Sequence, residues 1–169
     1  GALEVYVWEG SLLLPFVYEV EGDCSCMVGN SGADDRIELA NLKKVGGTIG
    51  LFAHQISCPS LVTIGKKLKF SDNNTAFEVL SLPVLESVGN GSLALTNPCL
   101  DIDLRWCKSL KLPVLKQIQG SVNIAAGVAE RIAMPALTTL DGTLQITGNN
   151  SVLTTLDFPL LAAIRKVEI

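Results

Sequence analysis

The stretch Pro113-Val-Leu-Lys-Gln-Ile-Gln-Gly-Ser-Val-Asn-Ile124 decides the fold. After the proline come an apolar residue, two variable ones, a second apolar residue, a short turn with glycine, and an alternating apolar pair. The same order recurs along the chain. Pro59, Pro83, Pro113, Pro135 and Pro159 are separated by 24, 30, 22 and 24 residues, and Ala40 takes the same place 19 residues before Pro59. The apolar sets read Leu42, Val45, Ile49, Leu51; Leu61, Ile64, Leu68, Phe70; Leu85, Val88, Leu93, Leu95; Leu115, Ile118, Val122, Ile124; Leu137, Leu140, Leu144, Ile146; and Leu161, Ile164, Val167, Ile169. Self-similarity at a fixed period in the twenties is the signature of stacked repeats.

An alternating apolar pair is a short strand with its outer members on one face and its middle member on the other. A second pair precedes each proline: Ile56 and Cys58, Leu80 and Leu82, Leu110 and Leu112, Ile132 and Met134, Leu156 and Phe158. Gly46, Gly65, Gly89, Gly120 and Gly142 mark the turns. Proline and glycine interrupt every copy, so no helix of ordinary length fits. An antiparallel sandwich gives no reason for the same residue type at the same offset in every copy, whereas a coil that lays like on like does. The pattern predicts an all-β, right-handed parallel β-helix, a β-solenoid of about six turns over residues 37–169. Residues 1–36 are expected to form a strand cap, Glu4 to Glu21, and a polar loop, Glu21 to Arg36. The extra residues of the longest copy are expected in a loop thrown outward at Asn97 to Trp106. The last copy stops in mid-strand, which predicts that the full protein continues past Ile169 or meets another chain there, with head-to-tail self-assembly as one outcome. A leucine-rich-repeat horseshoe is the alternative fold. Its asparagine ladder is poorly matched, because the corresponding positions are His54, Asn73, Pro98, Gly127 and Asn149.

Composition limits the function classes. The 169 residues are 48% apolar and 18% charged, which excludes disorder, and 13 Lys and Arg against 17 Asp and Glu leave a net charge of −4. Without a basic block, neither nucleic acid nor an anionic membrane is an expected partner. The apolar run Leu12 to Val17 is far shorter than the roughly 20 residues that span a bilayer, so no membrane insertion is expected.

The runs Leu153-Thr-Thr-Leu-Asp-Phe-Pro-Leu-Leu-Ala-Ala-Ile164 and Leu137-Thr-Thr-Leu-Asp-Gly-Thr-Leu-Gln-Ile146 resemble the receptor L domain. That family is a right-handed β-helix found in the ectodomains of the insulin and epidermal growth factor receptors, with a similar pattern in fungal glycolipid-anchored cell-wall proteins. The resemblance covers about residues 37–169. It implies an extracellular or cell-surface module with a protein or glycan partner.

Three sequons, Asn73, Asn90 and Asn149, fall at turns of the repeat and are glycosylation candidates. Cys99 and Cys107 bracket the expected loop and are the first disulfide candidates. Cys58 takes an inward position and reads as a buried thiol, while Cys24 or Cys26 could reach it. No Cys-x-x-Cys or paired histidine indicates a metal, and no cofactor is expected. Asp101, Asp103, Arg105 and Trp106 form the candidate partner-contact loop. The two carboxylates could in principle serve a polysaccharide-acting enzyme, but a solvated, ion-paired loop is the favoured reading. His54 has no nucleophile or metal partner and reads as a turn residue. Outward positions Gly50, Lys69, Ala94, Asn123, Gln145 and Glu168 make a mixed polar face without an aromatic row. The sequence therefore points to a non-catalytic extracellular structural or adhesion module, with a ligand-binding receptor ectodomain fragment as the alternative and an enzyme as the third reading.

Overall fold

The computed structural model describes residues 1–29, 35–71, 77–89, 98–103, 107–148 and 152–169. The chain winds in three-strand rungs. The first is β1 (Leu3–Val7), β2 (Ser11–Leu13) and β3 (Glu19–Val20); the second is β4 (Cys24–Val28), β5 (Arg36–Glu38) and β6 (Lys44–Val45). Next come β7 (Ile49–Phe52), β8 (Gln55–Ser57), β9 (Thr63–Ile64), then β10 (Leu68–Ser71), β11 (Phe77–Ser81), β12 (Ser87–Val88). They are followed by β13 (Pro98–Asp103), β14 (Cys107–Lys111), β15 (Gln117–Ile118), and by β16 (Ser121–Ala125), β17 (Arg131–Ala133), β18 (Thr139–Thr147). The long β18 closes one rung and opens the next, which β19 (Thr155–Asp157) and β20 (Ala163–Glu168) complete.

Among the described residues, strands pair only with their counterparts on neighbouring rungs, and each of these pairings is parallel. The main sheet runs β1-β4-β7-β10-β13-β16-β18 and returns through β15-β12-β9-β6-β3. Two short sheets, β2-β5-β8 and β11-β14-β17-β19, form the remaining face. The molecule is a parallel β-solenoid, as the repeat predicts.

Register explains the core. Leu3, Cys24, Ile49, Leu68, Leu100, Val122 and Leu144 stand over one another, as do Val20, Val45, Ile64, Val88, Ile118 and Leu140. Between the end rungs these side chains are almost wholly buried. The prolines have a local cause. The amides of Leu61, Leu85, Leu115, Leu137 and Leu161 donate to the carbonyls of Cys58, Leu82, Leu112, Met134 and Phe158 at 3.1–3.4 Å. Each proline is therefore the second residue of a four-residue turn, where its fixed φ is favourable.

The structure corrects three readings. The segment from Glu21 to Arg36 is not simply a polar loop: it contains β4, whose Cys24, Cys26 and Val28 are buried. Leu14 and Val17 close the same turn around Pro15, with N···O 3.5 Å, so the amino-terminal strands stack as a rung of the coil itself. Within the expected loop of Asn97 to Trp106, Pro98–Asp103 is a main-sheet strand instead, and residues 97 and 104–106 lie outside the described residues. Leu100 and Ile102, not Leu93 and Leu95, are the alternating pair of that copy; the residues at 93 and 95 lie outside the described residues.

Close stacking at the corners requires glycine. A Cβ on Gly65 would run into the carbonyl oxygen of Gly46, while the Gly65 amide is held by Val45 O at 2.7 Å, so neither strand can give way. Gly65→Ala is expected to destabilise the fold by about 1–3 kcal/mol. The neighbouring Lys66→Ala is expected to stay within about 0.5 kcal/mol, with both changes read from urea midpoints.

Candidate interaction surfaces

The outer face of the main sheet has two halves. Toward the carboxy terminus, one register position carries Lys69, Asp101, Asn123, Gln145 and Glu168, so Asp101 replaces the expected Ala94. Lys67 Nζ lies 3.0 Å from Asp101 Oδ2, and Asn123 Nδ2 donates to Asp101 Oδ1 at 3.0 Å. Farther along, Gln145 Nε2 donates to Glu168 Oε2 at 3.2 Å, and Lys166 pairs with the same carboxylate. Both oxygens of Asp101 are thus engaged by neighbouring rungs, which makes this carboxylate a tie between layers. Asp103 ends β13 in register with Ala125. Arg105 and Trp106 lie outside the described residues.

Toward the amino terminus the same face turns aromatic. Alternation over residues 3–8 turns Leu3, Val5 and Val7 inward, half-buried against the core, and leaves Glu4, Tyr6 and Trp8 exposed. Trp8 is 78% exposed and Tyr6 52%, with ring centroids 5.1 Å apart and planes at 82°. Met27 and Phe52 continue the Tyr6 register position, and Lys69 Nζ sits 5.7 Å from the Phe52 centroid. This aromatic end lies beside, not within, the register position of Gly50 and Lys69, for which the sequence predicts a mixed polar face. The signal lay in the alternation of residues 3–8, outside the stretch aligned as repeat.

The short-strand face carries a groove of about 430 Å³ lined by Lys111, Pro113, Arg131, Ala133, Pro135 and Asp157. Arg131 donates to Asp157 at 3.0 Å. His54, after β7, is half-buried, and its Nδ1 is enclosed without a hydrogen-bond partner. Among the described residues no three His, Cys, Asp or Glu side chains converge as a metal set.

All five cysteines are buried free thiols. Cys99 and Cys107, the first disulfide candidates, are among these free thiols. Each is fully enclosed, and the Cys107 thiol points to Ser109 O at 3.3 Å. Cys24 and Cys26 bring their sulfurs to 4.0 Å within β4. Their shared hydrogen bond lowers the Cys24 pKa and raises that of Cys26, and burial adds to the latter. Burial pushes Cys58 up to about 12 and Cys99 up to about 11. The sequons Asn73, Asn90 and Asn149 lie outside the described residues.

Comparison with protein-family models, curated proteins and solved structures returned no match.

The buried thiols make stability depend on pH. Cys58 and Cys99 hold their protons in the folded chain above the ordinary value of 9.0, whereas the unfolded chain releases them there. Their contribution is complete below about pH 9 and is lost as pH rises toward the folded values of about 12 and about 11. Denaturant titrations should show stability falling over that interval, with a shallower slope in the Cys58→Ala/Cys99→Ala variant. Asp101→Asn, which weakens the pairing with the partly exposed Lys67, is expected to cost no more than about 1 kcal/mol in the same assay at neutral pH.

Proposed function

We propose that this chain is a non-catalytic extracellular module, a rigid glycosylated coil that serves adhesion or structural assembly at a cell surface or cell wall. The receptor L domains that its repeats resemble supply the precedent. One observation carries the reading: charged groups on the outer faces tie rung to rung, as in Lys67–Asp101, Lys116–Glu86 and Arg131–Asp157, while large apolar side chains such as Trp8 and Phe16 stand in solvent. Exposed apolar side chains of this size suit contact with a partner. A second reading, a ligand-binding receptor ectodomain, draws support from the groove lined by Pro113, Pro135, Lys111 and Arg131.

Glycosylation tests the compartment. The whole protein, followed in cells of its native source, should reach the surface or medium and move faster on gels after peptide-N-glycosidase treatment. The Asn73→Gln/Asn90→Gln/Asn149→Gln variant should lose that shift. Retention of an unmodified protein in the cytosol would overturn the proposal.

A further inference from the structure

The first 35 residues contain seven Asp and Glu and no Lys or Arg; residues 36–169 contain ten acidic residues and 13 basic ones. The sequence is therefore charge-polarised, −7 in the first segment and +3 in the second, in keeping with the overall −4. Tyr6 and Trp8 are exposed on the outer face of the negative end. Glu4, exposed on β1 two residues before Tyr6, shares this outward parity. The rung neighbours of Glu4 are Ser25 and Gly50, and the next residue in that register, Lys69, stands over the Phe52 ring. This face thus already holds one cation on an aromatic ring from within the chain.

We infer that the outer face of the amino-terminal rungs, centred on Tyr6 and Trp8 with Glu4, is a docking surface for a Lys- or Arg-bearing segment of another protein. The inference deepens, and rests on, the adhesion reading. A cation over an aromatic face is attracted by the ring quadrupole, and Trp is the strongest partner. A nearby carboxylate supplies the counter-charge and a hydrogen-bond acceptor. A neutral saccharide could use the rings but would leave the charge asymmetry without a role. The two exposed rings are also small against the roughly 800 Å² that a stable protein pair buries on each side, which favours a short basic segment over a broad apolar face. Such a segment would approach under attraction from the whole negative end.

Calorimetry on the full-length protein provides the test, with a synthetic peptide alternating Arg and Ser as probe. A Glu-Ser peptide and a neutral β-linked glucose oligosaccharide serve as comparisons. The Arg peptide should bind, weaken as salt is raised, and lose about tenfold or more in affinity on Trp8→Ala or Tyr6→Ala, neither of which alters charge. Both side chains are more than half exposed, so circular dichroism should show the coil intact in these variants. Glu4→Gln should weaken binding as well, and Glu130→Gln, exposed elsewhere, should not. Equal binding by the parent and the Trp8→Ala and Tyr6→Ala variants would mean non-specific charge attraction and overturn the inference. Binding of the oligosaccharide in place of the peptide would overturn it too, as would occupation of this face only by a second copy in sedimentation runs. A failed peptide titration beside a surface-displayed glycoprotein rejects the docking surface alone. An unmodified cytosolic protein rejects the adhesion reading whether or not the peptide binds.

Discussion

Everything in this fold depends on parallel pairing in register between successive rungs. A single rung offers three short strands with apolar side chains pointing into a space that it cannot fill. Laying the next rung on top converts each inward residue into a member of a column and gives the strand amides and carbonyls their partners. Hydrogen bonding and apolar burial therefore have the same geometric condition, so a slip of one residue would lose the alignment of inward residues and place outward ones in the core. That shared condition explains why Ile118 stands between Val88 and Leu140 rather than beside a charged side chain.

The same condition accounts for the corners. A rung must turn three times without lifting away from its neighbour. Before and after each proline, an apolar residue points inward, and the hydrogen bond across the turn keeps the path tight. At the glycine corner the backbones of adjacent rungs approach so closely that Gly65 cannot carry a side chain. At the amino-terminal end a buried carboxylate has a comparable role: Asp35 Oδ1 accepts the Gly10 amide at 2.7 Å, and the Asp35 carbonyl accepts the Gln55 amide at 3.0 Å. Asp35 is thus bonded to the rung on either side of its own.

How much of this was legible depended on which residues filled the columns. Where Leu, Ile and Val occupy them after a proline, as from Pro113 to Ile124, the sequence predicts the strands and the turn correctly. Pro15 begins a copy with the same offsets, Val17, Val20, Gly22, Cys24 and Cys26, but its cysteines read as bridge candidates, which hides their role as small buried apolar residues. In the copy after Pro83, two alternating apolar pairs compete: Leu93 with Leu95, and Leu100 with Ile102. Offset from the proline favours the first pair, whereas the strand register selects the second. A period alone cannot locate an insertion when residues on both sides of it alternate.

Outer faces were less legible because stacking fixes the parity of a side chain without fixing its chemistry. Along one inward column the residues are nearly interchangeable, whereas an outward column passes from Tyr6 through Met27 to Phe52. The adjacent outward column ends in hydrogen-bonded polar groups, Asp101 with Asn123 and Gln145 with Glu168. Polar residues there can tie rungs to one another and still meet water, which leaves their pattern compatible with structure alone. Exposed rings at Tyr6 and Trp8 have no equivalent structural need, since the core behind them is already supplied by Leu3, Val5 and Val7. In a coil built from nearly uniform inward columns, the individuality of the protein is written at alternate residues facing outward, and the first rung is where that individuality is greatest.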